Sequence, residues 1–415
     1  MYWSIRRVVS ASALTVAAVA SAQAQAGLSL ETYVQAVLRS HPGARQGLAL
    51  DAAAAAEAKT SRAWPDPTFN YSRDRARPTG AGGPELTESG VTVGQTIPWL
   101  GTRSANVRAG DHAAAALRAE ALGTRWELEI DARTAFARAL FAQAALANAR
   151  AAEEDARGLR DLTARRADLG ESREVDRIKA EVEWLRQQRT RRAAEREVEA
   201  SEAILRALAV EALPSPLALA GELPSPRAPS DPTELQARLE QSNPRLAAAR
   251  SDAARDAALA SAARRSRIPD LDLAWFHNDE LDKESSGFSV GIRVPLWNAN
   301  RGEIARAEAR AALATASAER TRIDLGSALE RGRQALDVAS AQAQLLESSI
   351  LPAASRSLDL AGLSYREGET SLLDLLDAQR TFRETQREAL EARLALALAI
   401  AEVQRQVGPD FFPGR

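Results

Sequence analysis

The stretch SSGFSVGIRVPLWNANRGEIARAEARAALATAS, residues 285–317, changes its period part-way along. Phe288, Val290, Ile292 and Val294 are apolar, and the residues between them are small or polar. That is the period-two pattern of a strand with one apolar face. Pro295 and an Asn/Gly-rich corner end it, and from Gly302 the pattern is helical for about fifty residues. Alternating three- and four-residue steps run from Ile304 through Ala318, Leu325, Gly332 and Ala335 to Ala339, which is a coiled-coil seam of small residues. A sixty-residue helix spans roughly 90 Å, a length with a purpose in an object that bridges a compartment.

The pattern occurs twice. HPGARQGLALDAAAAAEA from His41 returns as NPRLAAARSDAARDAALA from Asn243, and WPDPTFNYS from Trp64 as IPDLDLAWF from Ile268. SGVTVGQTIPWLGTRSANVRAG from Ser89 returns as the opening stretch itself, and LGESREVDRIKAE from Leu169 as EGETSLLDLLDAQ from Glu367. All four recur in one order at an offset of about 200 residues, the signature of a duplicated unit. Each copy reads helix, strand, strand, long helix, long helix. The expected layout is a first repeat over 27–210, a Pro-rich linker over 211–232 that adds no element, a second repeat over 233–408 and a tail over 409–415. Asp231 is the expected N-cap of the second repeat's first helix, with Pro232 at its first position.

The first 26 residues read as a secretory signal: Arg6 and Arg7, then the apolar run Val8–Ala20, then small-x-small sites ending at Ala26. Beyond them no run is long and apolar enough for a transmembrane helix. A secreted chain can still enter a membrane as a β-barrel. Strands are expected over about 66–74, 89–98, 269–277 and 286–295, each near the length of a tilted membrane-crossing strand. Their outward residues are Phe69 and Tyr71; Val91, Val93 and Ile97; Leu271, Leu273 and Trp275; and the four that open this section. Trp99 and Trp297 follow the strand-ending prolines, where they suit either an interfacial aromatic belt or the closing of a core. Four strands close no barrel, so copies must pool them: two give eight strands, three give twelve and leave room for a lumen.

Composition excludes several classes. A formal net charge of −2 offers no basic field for nucleic acid. The absence of cysteine removes thiol catalysis, zinc–thiolate sites, disulfides and N-terminal lipidation through sulfur. His41, His112 and His277 are too scattered for a metal site, and no glycine-rich phosphate loop follows a strand. No catalytic constellation and no cofactor are expected. Asp374 and Asp377 share one helix face among leucines, where the bland alternative is a solvated pair beside Arg380.

The duplicated layout, the motif YREGETSLLDLLDAQR over 365–380, the HP and NP helix starts and VPLWNANRGEIARAEA from Val294 resemble the TolC-type outer-membrane efflux proteins. The last phrase and WPDP resemble most the CzcC-like heavy-metal branch. The resemblance implies a mostly α fold with a β-barrel part: a homotrimer whose twelve-strand barrel in the outer membrane continues as an α-helical periplasmic tunnel. It also implies a periplasmic adaptor, an inner-membrane pump of the resistance-nodulation-division class and contact with outer-membrane lipid. It places Asp374 and Asp377 as charge rings at the periplasmic entrance, and Asp176 and Tyr365 in hydrogen bonds that hold the entrance closed. Where some relatives carry an arginine in that network this chain has Thr370 after Glu369, leaving Arg173 or Arg366 as substitutes. The competing reading is a soluble periplasmic coiled-coil adaptor or spacer.

Overall fold

The computed structural model describes residues 27–76, 86–210, 213–214, 217–226, 231–280, 283–294 and 299–408. The signal segment, Pro295, Trp297 and the tail over 409–415 lie outside the described residues.

The first half runs β1 (Leu28–Ser29), α1 (Leu30–Ser40), α2 (Pro42–Arg62), β2 (Thr68–Ala76), β3 (Leu86–Ile97), α3 (Leu100–Asp168) and α4 (Glu174–Ala209). After β4 (Leu219–Ala220) come α5 (Pro232–Ser242), α6 (Pro244–Arg265), β5 (Leu271–Asp279), β6 (Glu284–Ile292), α7 (Arg301–Leu345), a π-turn (Leu346–Ile350), α8 (Leu351–Glu367) and α9 (Leu372–Val407). The two halves match closely: α1 and α5 have 11 residues each, α4 and α9 have 36 each. The first helix expected in each repeat is in fact two. Pro42 and Pro244 cannot continue a helix from the residue before, so each opens a new one. Asn243 caps α6 by accepting the Leu246 N–H at 3.0 Å, and Asp231 caps α5 by accepting the Thr233 N–H at 2.9 Å.

Two compact units are distinguished, and each draws on both halves. One contains the described parts of 1–45, 124–242 and 325–415; the other contains 46–123 and 243–324.

In the first unit α1 packs Tyr33, Val34 and Val37 against Leu128, Ala132 and Phe136 of α3 and Leu205 and Ala209 of α4. The Tyr33 and Phe136 rings lie 5.7 Å apart, and the Tyr33 hydroxyl donates to the Leu205 carbonyl at 3.2 Å. Burial pushes the Tyr33 phenol well above its ordinary pKa, so it stays a neutral donor. The Pro-rich linker corrects the expectation that it adds no element. Leu217 and Leu223 are buried, Leu219–Ala220 pair in parallel with Leu28–Ser29, and Gln143 donates to the Leu217 carbonyl at 2.9 Å. Its leucines gain more from burial than an extended spacer would.

The helical seam also departs from its sequence register. Ile304, Ala318, Leu325, Gly332 and Ala339 are buried as expected, but Ala335 is exposed while Leu329, Leu336 and Ala343 turn inward. A straight helix drifts about 20° per heptad from a 3.5-residue repeat, so every second position of the seam moves on by one residue while the others stay. The π-turn has an equally local cause. Pro352 lacks the N–H that would bond Ser348, and the Leu351 N–H reaches back five residues to the Leu346 carbonyl instead.

In the second unit the sheet has the order β2-β3-β5-β6, antiparallel throughout. The fourth strand ends at Ile292, short of the expected 295, because Arg293 and Val294 already lie beyond the last paired residue.

Candidate functional site

The sheet's register lines up its apolar residues. Phe69 pairs with Val93, Val93 with Trp275 and Trp275 with Phe288, one row across all four strands. Ile97, Leu271 and Ile292 form a second row at the helix end. Phe288 is 85% exposed and Val290 70%, so this face has no cover there among the described residues. The opposite face carries Asn70, Thr92, Asp272, Asn278 and Ser289, with Thr96 donating to Asp272 at 2.6 Å. Gly287 on that face is held by space: a Cβ there would stand 2.9 Å from the end of the Phe276 ring. An exposed apolar face backed by a polar one matches what a strand between lipid and water requires.

Trp99 stands exposed just beyond β3, its backbone N–H donating to the Asp270 carboxylate at 2.8 Å. Trp297 lies outside the described residues. Sequence reasoning missed Trp64, which is exposed at the same end of the sheet with the Arg103 guanidinium 4.5 Å above its ring. The Pro-flanked WPDP phrase was the available signal, but the arginine lies 39 positions on, in α3.

The second candidate lies in the other unit, where two repeat-equivalent turns come together. Gly170 after α3 and Gly368 after α8 both adopt positive φ, 76° and 81°, and both helices end with a 6→1 backbone bond, Glu171 to Arg166 and Glu369 to Ser364. A cleft of about 350 Å³ opens between the turns, lined among others by Arg166, Arg173, Asp176, Tyr365, Thr370 and Ser371. Tyr365 packs with Leu159, Leu372 and Leu375, and Arg166 covers its ring at 5.4 Å. The Thr370 hydroxyl is buried without a partner among the described residues.

Of the expected entrance residues, Asp176 and Tyr365 line this cleft, whereas Asp374 and Asp377 do not. Asp176 and Asp374 occupy the same place, the third residue of α4 and of α9, yet each has a different partner. Asp374 closes a capping box: its Oδ2 accepts from the Ser371 N–H at 3.0 Å and the Ser371 hydroxyl at 2.7 Å. These bonds hold its carboxyl below the ordinary carboxylate pKa. In the first repeat Arg173 stands where the second has Ser371. It caps nothing with its side chain and instead grips Asp176 by Nε–Oδ2 at 3.0 Å and Nη2–Oδ1 at 3.3 Å. Of the two arginines named as substitutes, Arg173 pairs with Asp176, while Arg366 is exposed and outside the cleft lining. The Tyr365 hydroxyl makes no hydrogen bond within the chain among the described residues, so within one copy Tyr365 is held by packing. Asp377 is exposed. Arg166 was not singled out from sequence, because nothing local ties it to a ring almost 200 positions away.

No group of three or more His, Asp or Glu poised for a metal ion occurs among the described residues. No helix among them is long and apolar enough to cross a membrane.

Comparison with known proteins bears out the resemblance read from the sequence. Residues 235–408 match the outer membrane efflux protein family. The chain is 29% identical over 283 residues to the cobalt-zinc-cadmium resistance protein CzcC of Cupriavidus metallidurans, covering 68% of each. The fold is similar to the outer-membrane channel OprN, with a TM-score of 0.78 at 20% identity, covering 91% of this chain and 89% of that one. It is equally similar to CusC, with a TM-score of 0.78 at 16% identity, covering 91% and 92%.

Proposed function

We propose that this chain, whose second half carries the outer membrane efflux family pattern, is the outer-membrane exit duct of a tripartite efflux system. The observation that carries the reading is the four-stranded sheet, exposed and apolar on one face and open at both edges. Backbone groups at an open edge have no partner in lipid. The β6 edge of one copy therefore closes on the β2 edge of the next. Three copies make twelve strands, with the polar face of Asn70, Thr92 and Asn278 turned to a lumen. The long helices continue that duct through the periplasm.

The duct is passive: it binds and conducts, and the energy comes from a resistance-nodulation-division pump reached through a periplasmic adaptor. Divalent metal cations are the cargo favoured by the similarity to a cobalt-zinc-cadmium resistance protein. The paired turns around Tyr365 and Asp176 form the entrance end. Of the two acidic residues proposed to ring it, Asp377 carries the freer charge, because Asp374 is engaged by Ser371.

The test is the native mass of protein extracted from isolated outer membranes, with detergent subtracted. Three chains of 44.5 kDa, less the signal segment, are expected. A monomer recovered from the soluble periplasm would overturn the barrel and return the chain to the adaptor reading.

A further inference from the structure

The two ends of the sheet differ in charge. At the helix end, the junctions over 62–67, 98–103, 264–270, 293–294 and 299–303 hold seven arginines against three carboxylates. At the far end, the described residues flanking the two hairpins hold three cations against five carboxylates. An inventory of partners sharpens the difference. Arg62 is paired with Asp111 at 2.6 Å and Arg264 with Glu308 at 2.9 Å. Arg267, Arg293 and Arg301 are exposed and meet no carboxylate within 4 Å among the described residues. Arg265 uses one nitrogen on the Gly101 carbonyl at 2.8 Å and leaves the rest of its guanidinium open.

Along the helices, by contrast, Arg255, Arg333 and Arg405 are each paired with two or more carboxylates. The unpaired group coincides with the exposed indoles of Trp64 and Trp99 and lies directly below the apolar row of Ile97, Leu271 and Ile292. Aromatic rings at the water boundary, guanidiniums just past it and an apolar face above make the sequence of environments met in crossing into a phospholipid leaflet. Guanidinium matches a phosphate diester through paired N–H donors, and an anionic headgroup adds net attraction.

We infer that Arg265, Arg267, Arg293 and Arg301, with Trp64 and Trp99, form a docking band for anionic phospholipid headgroups at the helix-side boundary of the membrane. The inference rests on the barrel reading. It goes further by giving the sheet a polarity: the helix-side leaflet is bound through phosphate, and the opposite, acidic rim is not.

The experiment reconstitutes the full mature protein in vesicles of phosphatidylethanolamine alone or mixed with phosphatidylglycerol, then records the lipids retained through detergent extraction by native mass spectrometry. The wild-type protein is expected to retain phosphatidylglycerol over phosphatidylethanolamine. R267Q/R293Q/R301Q should lose about fivefold of that preference for each arginine engaged, and the corresponding lysine variant should keep most of it. Insertion without any preference, or a preference unchanged in the glutamine variant, overturns the inference and leaves the barrel standing. Failure to insert into either vesicle overturns the barrel reading and the inference with it.

Discussion

Replacing Tyr365 separates two ways of holding the proposed entrance closed. The ring is 8% exposed, packed with Leu159, Leu372 and Leu375 and covered by Arg166, so it joins the α8–α9 turn to α3. Truncating a buried aromatic to alanine costs about 3–5 kcal/mol. The lower end applies here because part of Tyr365 borders the cleft rather than packed neighbours. A loss of about 3 kcal/mol shifts a local closed–open balance by roughly a hundredfold. Tyr365→Phe removes only a hydroxyl that has no partner within the chain among the described residues, and should cost less than about 1 kcal/mol. Single-channel recordings in planar bilayers, alongside thermal unfolding, read both variants. Tyr365→Ala is expected to conduct more in the resting state while the bulk of the protein stays folded, and Tyr365→Phe to match the wild type. A Tyr365→Phe channel as leaky as Tyr365→Ala would refute the packing argument and place the latch in a hydrogen bond to another copy.

The two acidic residues proposed to ring the entrance should behave differently: Asp377→Asn is expected to relieve block by multivalent cations in bilayer recordings more than Asp374→Asn. Equal relief would mean that Ser371 does not occupy the Asp374 charge. Because its hydrogen bonds depress the Asp374 pKa, the stabilisation they give is present above the ordinary carboxylate range and lost as pH falls through the depressed value. An acid titration of wild type against Asp374→Asn should therefore show a wild-type advantage at neutral pH that vanishes in strong acid. Gly110→Ala should destabilise by about 1–3 kcal/mol through overpacking, since a Cβ there falls within the radius of Ser61 on α2. Ser61→Gly in the same chain should restore most of the loss in thermal unfolding.

What could be read from the sequence was what is encoded over short distances. The alternation of Phe288, Val290 and Ile292 gave a strand because a pleat has period two, and those side chains are exposed on one face. Asp231, Asn243, Pro42 and Pro244 marked helix starts because a cap needs only its own first turn. The linker's leucines escaped notice because proline content describes the backbone and is silent about which core a side chain reaches. The seam moved from Ala335 to Leu336 because a heptad template does not carry the helix's own drift.

The paired turns show the limit most sharply, since the same residue in the same position of both repeats was open to local reading only once. Ser371 and Asp374 form a capping box spelled out by four consecutive residues. Arg173 and Asp176 have the same spacing, but arginine is no capping residue, so the pair reads from sequence as ordinary surface charge. What distinguishes it is that Asp176 is buried, only 12% of its side chain being exposed, against 74% for Arg173. A buried carboxylate whose cation faces solvent is the arrangement most easily broken from outside. If one of the paired turns opens first, these environments point to the α3–α4 turn, with Asp176 as the residue whose release would follow the loss of Arg173. Arg173→Gln should therefore raise resting conductance more than Ser371→Ala, and the reverse order would assign the first movement to the α8–α9 turn.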